Sequence, residues 1–404
     1  MIISESSNGS SQSLKKRLFL PVVVLSVFLT WTFTVFFSTV LLDIAKSFQV
    51  SIGTASQALT VARFAGLIIG LAMGFLTIRF NHKSIFVSGV TLYGLGILGS
   101  ILSPNFTSLV VFQVFQGMGL TIVGIISLTL IGDLLPLQKR GFAIGIVVSS
   151  GFLTYVLIPP LSSSITLLAG WRSVLVWFIL PFSLACLVLC WLIIPTTFKQ
   201  GKQNPQYLEA FKRILVNKSA VACVVSMALL TMMSSVPVYA VSFYRINFLS
   251  STTDAALYSS VAAAGGMIGG LIGGRLVNRF GRKPLTVSTA FVSSVFAILF
   301  TLLPNVLISV AFWTICAFSL SMTLVGLQSL VLEQVPKHRG SMVSMNSVFR
   351  SIGLVLGVAV GGIILNLFSN NFQLLMAIFG FSGIASIPIL LFIAKDPCTT
   401  GPIP

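Results

Sequence analysis

The chain of 404 residues carries 24 Lys or Arg, 7 Asp or Glu and 2 His, so 8% of its side chains are charged and 56% are hydrophobic, where a soluble domain is roughly a quarter charged. Such a composition cannot cover a water-facing surface with polar groups, which excludes a soluble globular protein. The formal charge of +17 ordinarily suggests nucleic acid, but a membrane protein gathers basic residues on one side, so their positions decide the matter.

The first 17 residues are mostly polar and end in Lys15-Lys16-Arg17; the apolar run after them is too long for the core of a cleaved signal. From there, runs of about 20 apolar residues, the length that crosses a bilayer, are predicted near 18–42, 53–77, 84–102, 106–132, 141–166 and 173–195. A polar stretch over 198–218, with Lys199, Lys202, Lys212, Arg213 and Lys218, interrupts the pattern. A second set follows near 219–243, 255–277, 284–303, 306–332, 341–367 and 372–394. The expected organisation is an all-α integral membrane protein. It has a cytoplasmic tail (1–17), a six-helix bundle (18–197), a cytoplasmic linker (198–218), a second six-helix bundle (219–397) and a tail (398–404). Cys186, Cys190, Cys223, Cys316 and Cys398 show no CxxC or Cys/His spacing, so neither disulfides nor a metal is expected. Cys186 and Cys190 are expected to face lipid.

The halves repeat at an offset of 200. Pro104-Asn105 recurs as Pro304-Asn305, and Gly66, Gly70 and Gly74 recur as Gly266, Gly270 and Gly274. Asp133-x-x-Pro136 recurs as Glu333-x-x-Pro336, each followed by Arg-Gly. Three coincidences at one offset indicate duplication, a common construction of secondary transporters. With the N-terminus inside, 19 of the 24 basic residues fall in inner segments, and Lys46, Arg172 and Arg245 are the outer ones. That bias places both termini in the cytoplasm and the protein in the cell membrane.

Two loops carry a more specific signal. Gly274-Arg275-Leu276-Val277-Asn278-Arg279-Phe280-Gly281-Arg282-Lys283 follows span eight, and Gly74-Phe75-Leu76-Thr77-Ile78-Arg79-Phe80-Asn81-His82-Lys83 follows span two. Both resemble the G-x-L-x-D-R-x-G-R-[RK] loop of the major facilitator superfamily, twelve-helix secondary transporters that include drug and metabolite porters. Gly170-Trp171-Arg172 and Gln116-Gly117-x-Gly119 are also similar to that family. The resemblance implies alternating access between two bundles, around a cavity lined by spans one, four, seven and ten. It implies gating roles for Gly74, Arg79, Lys83, Gly274, Asn278, Arg279, Gly281, Arg282 and Lys283. The family's loop Asp is replaced by Ile78 and Asn278, which removes an inner lock in the first half. Drug–proton antiporter signatures are missing: Gln113 stands where those proteins have Arg, Pro159 alone survives of their span-five motif, and Phe33 stands near an expected acid.

The remaining basic residues, Arg63 and Arg350, fall about ten residues inside spans two and eleven, near the midplane at 1.5 Å per residue. A guanidinium there is a functional-site candidate by default. One from each half suits a clamp on a carboxylate or phosphate, while snorkelling or bonding to carbonyls or Asn346 is the structural alternative. Gln113, Gln116, Thr34, Tyr239 and Gln328 are the further substrate-binding candidates. Asp133 with Arg140, and Glu333 with Arg339, are expected as inner charge latches or as solvated helix ends. Gly66, Gly70, Gly266, Gly270, Gly353 and Gly357 recur every fourth position and are expected to let helices pack closely.

No Asp or Glu lies in the middle of a span, and both His are in inner loops. An intramembrane enzyme would need paired carboxylates, a His cluster or an activated nucleophile at membrane depth, and none is visible. The expected function is secondary transport of a small organic solute, as an efflux protein or permease. An organic-anion transporter or exchanger clamping substrate with Arg63 and Arg350 is the alternative, and a non-transporting sensor a remote one. The expected partners are the solute, a coupling ion where one is used, and the lipid bilayer, with no nucleic acid and no cofactor. The expected functional unit is a monomer.

Overall fold

A computed structural model describes residues 5–134, 137–194, 216–335 and 339–396. Every regular element among them is helical: α1 (Glu5–Thr39), α2 (Leu41–Ser47), α3 (Ile52–Arg79), α4 (His82–Leu102), α5 (Phe106–Leu134), α6 (Leu137–Ala169), α7 (Trp171–Val174) and α8 (Leu180–Ile193) precede the linker. After it come α9 (Lys218–Met233), α10 (Val236–Asn247), α11 (Thr252–Phe280), α12 (Arg282–Leu299), α13 (Val306–Glu333), α14 (Arg339–Leu367) and α15 (Phe372–Pro388). Among the described residues, 11 spans are long and apolar enough to cross a membrane. The ninth expected span is α12, whose 18 residues start on Arg282 and Lys283. Helices suit this composition because hydrocarbon offers no partner for a free N–H or C=O.

The sequence places its stops at the expected chemistry. Asn81 caps α4 by accepting from the Ser84 N–H, and Asn305 caps α13 by accepting from the Leu307 and Ile308 N–H groups; a short side-chain oxygen there satisfies otherwise unpaired amides. Gly281 joins α11 to α12 at φ +87°, a conformation that suits only glycine. The seventh expected span, 219–243, is broken. Its two pieces, α9 and α10, meet at Ser234-Ser235, because Pro237 has no N–H to continue the ladder.

The chain divides into two compact units, one of 1–37 with 61–201 and one of 38–60 with 202–404. The hairpin 38–60 lies in the first half of the sequence but packs with the second unit. In the first unit α4 packs on α5 and α8, and the fully buried Tyr93 ties α4 to α1 by donating to the Leu29 carbonyl at 2.6 Å. Cys186 and Cys190 are buried, not turned to lipid, with Cys190 Sγ 3.2 Å from Ser26 Oγ on α1. In the second unit α11 and α12 pack on α13, and α9 on α14, around an aromatic cluster in which Phe243 meets Tyr244, Phe300 and Phe372 edge-on.

Candidate functional site

Arg63, on α3, is half-buried, with its guanidinium carbon 5.7 Å from the centre of the Trp31 ring on α1. Tyr155 on α6 lies beside the same indole, ring centres 6.2 Å apart. Gly151, one turn before Tyr155, faces the same indole, and a methyl there would make an ordinary contact 3.6 Å from its nitrogen. No described residue gives Arg63 a hydrogen bond or an ion pair. At membrane depth the guanidinium is faced by the negative face of one indole and offers five donors. Trp31 was legible only as one aromatic among many, and Tyr155 carried no signal in sequence.

The other substrate candidates occupy different settings. Gln113 and Gln116, on α5, are buried; Gln113 Nε2 lies 3.5 Å from Ser100 Oγ, while Gln113 Oε1 and Gln116 Nε2 have no partner among the described residues. Thr34 on α1 is half-buried, and Gln328 on α13 is exposed. Arg350 on α14 is exposed, and its carbonyl accepts from Thr231 Oγ1 at 3.3 Å. The buried Asn346 Oδ1, one turn away, accepts no hydrogen bond, so it is not the anchor of Arg350. Tyr239 is fully buried: its hydroxyl donates to the Val358 carbonyl at 2.6 Å and lies 3.1 Å from Ser56 Oγ.

That last contact belongs to a cluster that no motif or spacing assembles. Within the second unit, Arg245 on α10 grips Asp43 on α2 with both guanidinium nitrogens, at 2.5 and 2.8 Å. The side chains are only 10% and 23% exposed, and the fork matches the carboxylate oxygen for oxygen. Ser51 donates to Asn366 Oδ1, Asn366 Nδ2 to Thr54 Oγ1, and Gln57 Nε2 to the Ala359 carbonyl at 3.2 Å. Gly53 and Gly362 make this possible, because a methyl on either would run into the other's carbonyl. The signal available in sequence was scarcity: Asp43 is one of two acids in the outer segments, and Arg245 one of three bases.

The loop residues are less gathered. Arg79 and Arg279 are exposed, the latter 5.5 Å from the Phe280 ring. Arg282 Nη2 stands 3.9 Å from Glu333 Oε1, an ion pair without a hydrogen bond. Lys283 Nζ donates to the carbonyls of Leu391 at 2.9 Å and Ala394 at 2.8 Å, where the twelfth span ends. The side chains of Asp133, Arg140, Arg339 and Asn278, and Gly74, lie outside the described residues. Arg172 lies 4.5 Å from the Trp171 ring and donates to the Ser103 carbonyl at 3.0 Å, tying α7 to the end of α4.

The glycine series pack within each unit. A methyl on Gly66 would strike Thr121 of α5, and one on Gly353 the Ala228 carbonyl of α9, while Gly357 abuts Ser235 at the break before α10. Gly70 and Gly270 leave room at 3.4 and 4.0 Å, and Gly266 is close at 3.2 Å from Ser321 Oγ; on α11 the tightest contacts are those of Gly265, Gly269 and Gly273 against α13.

The family model described as Major Facilitator Superfamily matches residues 22–313 and 247–404. The MFS-type transporter YbcL of Bacillus subtilis (strain 168) is 22% identical over 344 residues, covering 83% of this chain and 86% of that protein. The MFS antiporter QDR3 of Candida albicans is 26% identical over 158 residues, 39% of this chain and only 22% of that protein's length. Among solved structures, a D-xylose-proton symporter superposes with a TM-score of 0.78 at 17% identity, over 94% of this chain and 98% of that one. At that identity the likeness concerns the fold alone.

Proposed function

The chain belongs to the major facilitator superfamily, and from that premise we propose that this secondary transporter moves a small organic anion across the cell membrane by alternating access, with both termini in the cytoplasm. The observation that carries the choice of an anion is the Arg63 guanidinium, held at membrane depth against Trp31 with no acidic partner among the described residues. A buried charge is costly, and a solute carboxylate reaching its two-pronged face would offset that cost. An apolar body lying on Trp31 and Tyr155 would add contact area and orientation. Arg350 is the proposed second cationic contact, with Gln113, Gln116, Thr34 and Gln328 as proposed lining. Tyr239, buried with its hydroxyl engaged, is assigned to holding α10 against α14 and the hairpin.

The tie of residues 43–57 to α10 and α14 is the proposed outer latch, which must release for the outer side to open. The latches drawn at Asp133 with Arg140 and Glu333 with Arg339 remain part of the proposal for the inner side. A thermal-shift screen of the purified protein against carboxylates, phosphates and lipophilic cations tests the solute class. Carboxylates or phosphates should raise the melting temperature. Stabilisation by cations alone, or saturable uptake unchanged in Arg63→Gln, removes the anion.

A further inference from the structure

A groove of 710 Å³ opens in the first unit between α4 and the end of α8, lined by Lys83, Ser84, Ser88, Thr91, Leu92 and Trp191 among others. The internal repeat shows what is unusual about it. At the offset of 200, Lys83 corresponds to Lys283, and Trp191 and Ile194 to Leu391 and Ala394. In the second unit the Lys283 ammonium is consumed by the carbonyls of those two residues. In the first unit Lys83 makes no hydrogen bond or ion pair with any described residue, and the space it could fill stands open.

The groove has the polarity of a phospholipid laid along a helix. Ser84, Ser88 and Thr91 fall at i, i+4 and i+7, hence on one face of α4, and all three are exposed. The same face continues with exposed Leu95, Leu98 and Leu102. The hydroxyls give this face of a spanning helix a polar strip that continues into an apolar one. Ser88 and Thr91 donate to the carbonyls of Ile85 at 2.8 Å and Val87 at 2.9 Å, and either hydroxyl can rotate to donate to an ester oxygen instead. The repeat does not preserve this stripe: the second half has Pro284, Ser288 and Phe291 there. Trp191 is 64% exposed at the polar end, the level at which an indole sits between headgroups and chains. No acid lines the groove, and its fixed charge is the Lys83 ammonium, helped by the positive start of α4.

We propose that this groove is a binding site for one anionic phospholipid of the leaflet facing the basic loops. The phosphate is met by Lys83 and Ser84, the glycerol esters run along Ser88 and Thr91, and the acyl chains follow Leu95, Leu98 and Leu102. The site lies apart from Arg63 and goes beyond the transport function.

The full-length protein in detergent, titrated with phosphatidylglycerol and followed by native mass spectrometry, should show one lipid bound more tightly than the rest. Lys83→Gln should weaken it about fivefold, the magnitude of one basic residue at a charged membrane surface, while Lys83→Arg retains it. Equal binding of phosphatidylcholine, equal binding by Lys83→Gln, or the same effect from inorganic phosphate alone would overturn the assignment. Tryptophan quenching by brominated phosphatidylglycerol in nanodiscs supplies a second readout that leaves Lys83 untouched. The excess over brominated phosphatidylcholine should vanish in Trp191→Phe; persistence of that excess overturns the site.

Discussion

Arg63 lies eleven residues into α3, roughly 16 Å along the helix, and its charge finds an indole face but no carboxylate among the described residues. Arg63→Gln is expected to reduce saturable uptake of a transported carboxylate by about tenfold or more, the range for a hydrogen bond to a charged group. Arg63→Lys should recover part of it, because an ammonium keeps the charge and loses the planar fork. Proteoliposome uptake across substrate concentrations separates affinity from turnover. The arginine was legible in sequence, as an isolated base in an apolar run. Trp31 and Tyr155 were not, because aromatics make up 11% of the chain and spacing alone cannot say which of them meet across helices. Cys186 and Cys190 show the same limit, since a small residue in an apolar run reads alike on either face.

Helices in this protein meet through small residues, and two glycines of α5 make the point testable. A methyl on Gly117 would run into the Ala62 carbonyl of α3, whereas one on Gly124 meets nothing within 4 Å. Gly117→Ala should destabilise by about 1–3 kcal/mol through overpacking. Gly124→Ala should be neutral or mildly stabilising, since alanine favours helix by up to about 1 kcal/mol. Thermal unfolding in one detergent compares them directly. At the outer hairpin, Asp43→Asn should cost about 1–3 kcal/mol by leaving Arg245 without its charged partner. It should also raise labelling of a cysteine placed at the buried Ala55 by a membrane-impermeant thiol reagent; unchanged labelling would argue against a latch. The break at Ser234-Ser235 had a local cause in Pro237 that the run of apolar residues masked.

Across the whole molecule, seven acids are spread so that none lies mid-span, and a titratable group that alternates between sides is the usual requirement for proton coupling. Transport is therefore expected to be indifferent to an imposed pH gradient in proteoliposomes; flux that follows the gradient would require a proton carrier elsewhere. The inner loop after α3 carries Ile78 where the family has Asp. Ile78→Asp should shift the protein towards the outward-open state, read as lower accessibility of cysteines introduced on the inner side.

The loops 74–83 and 274–283 carried the resemblance to the family, while composition, span spacing, the repeat at 200 residues and the one-sided basic residues were enough to read an all-helical membrane protein. These features are set by the bilayer, which acts on every residue according to its own polarity and needs no knowledge of neighbours. The tertiary structure alone decided which residues meet: Arg63 with Trp31 and Tyr155, Asp43 with Arg245, Lys283 with the end of the twelfth span while Lys83 stays open. Those contacts join segments up to 202 positions apart. They depend on which face each helix turns to its neighbour, and in a chain apolar on all sides no periodic pattern records that choice.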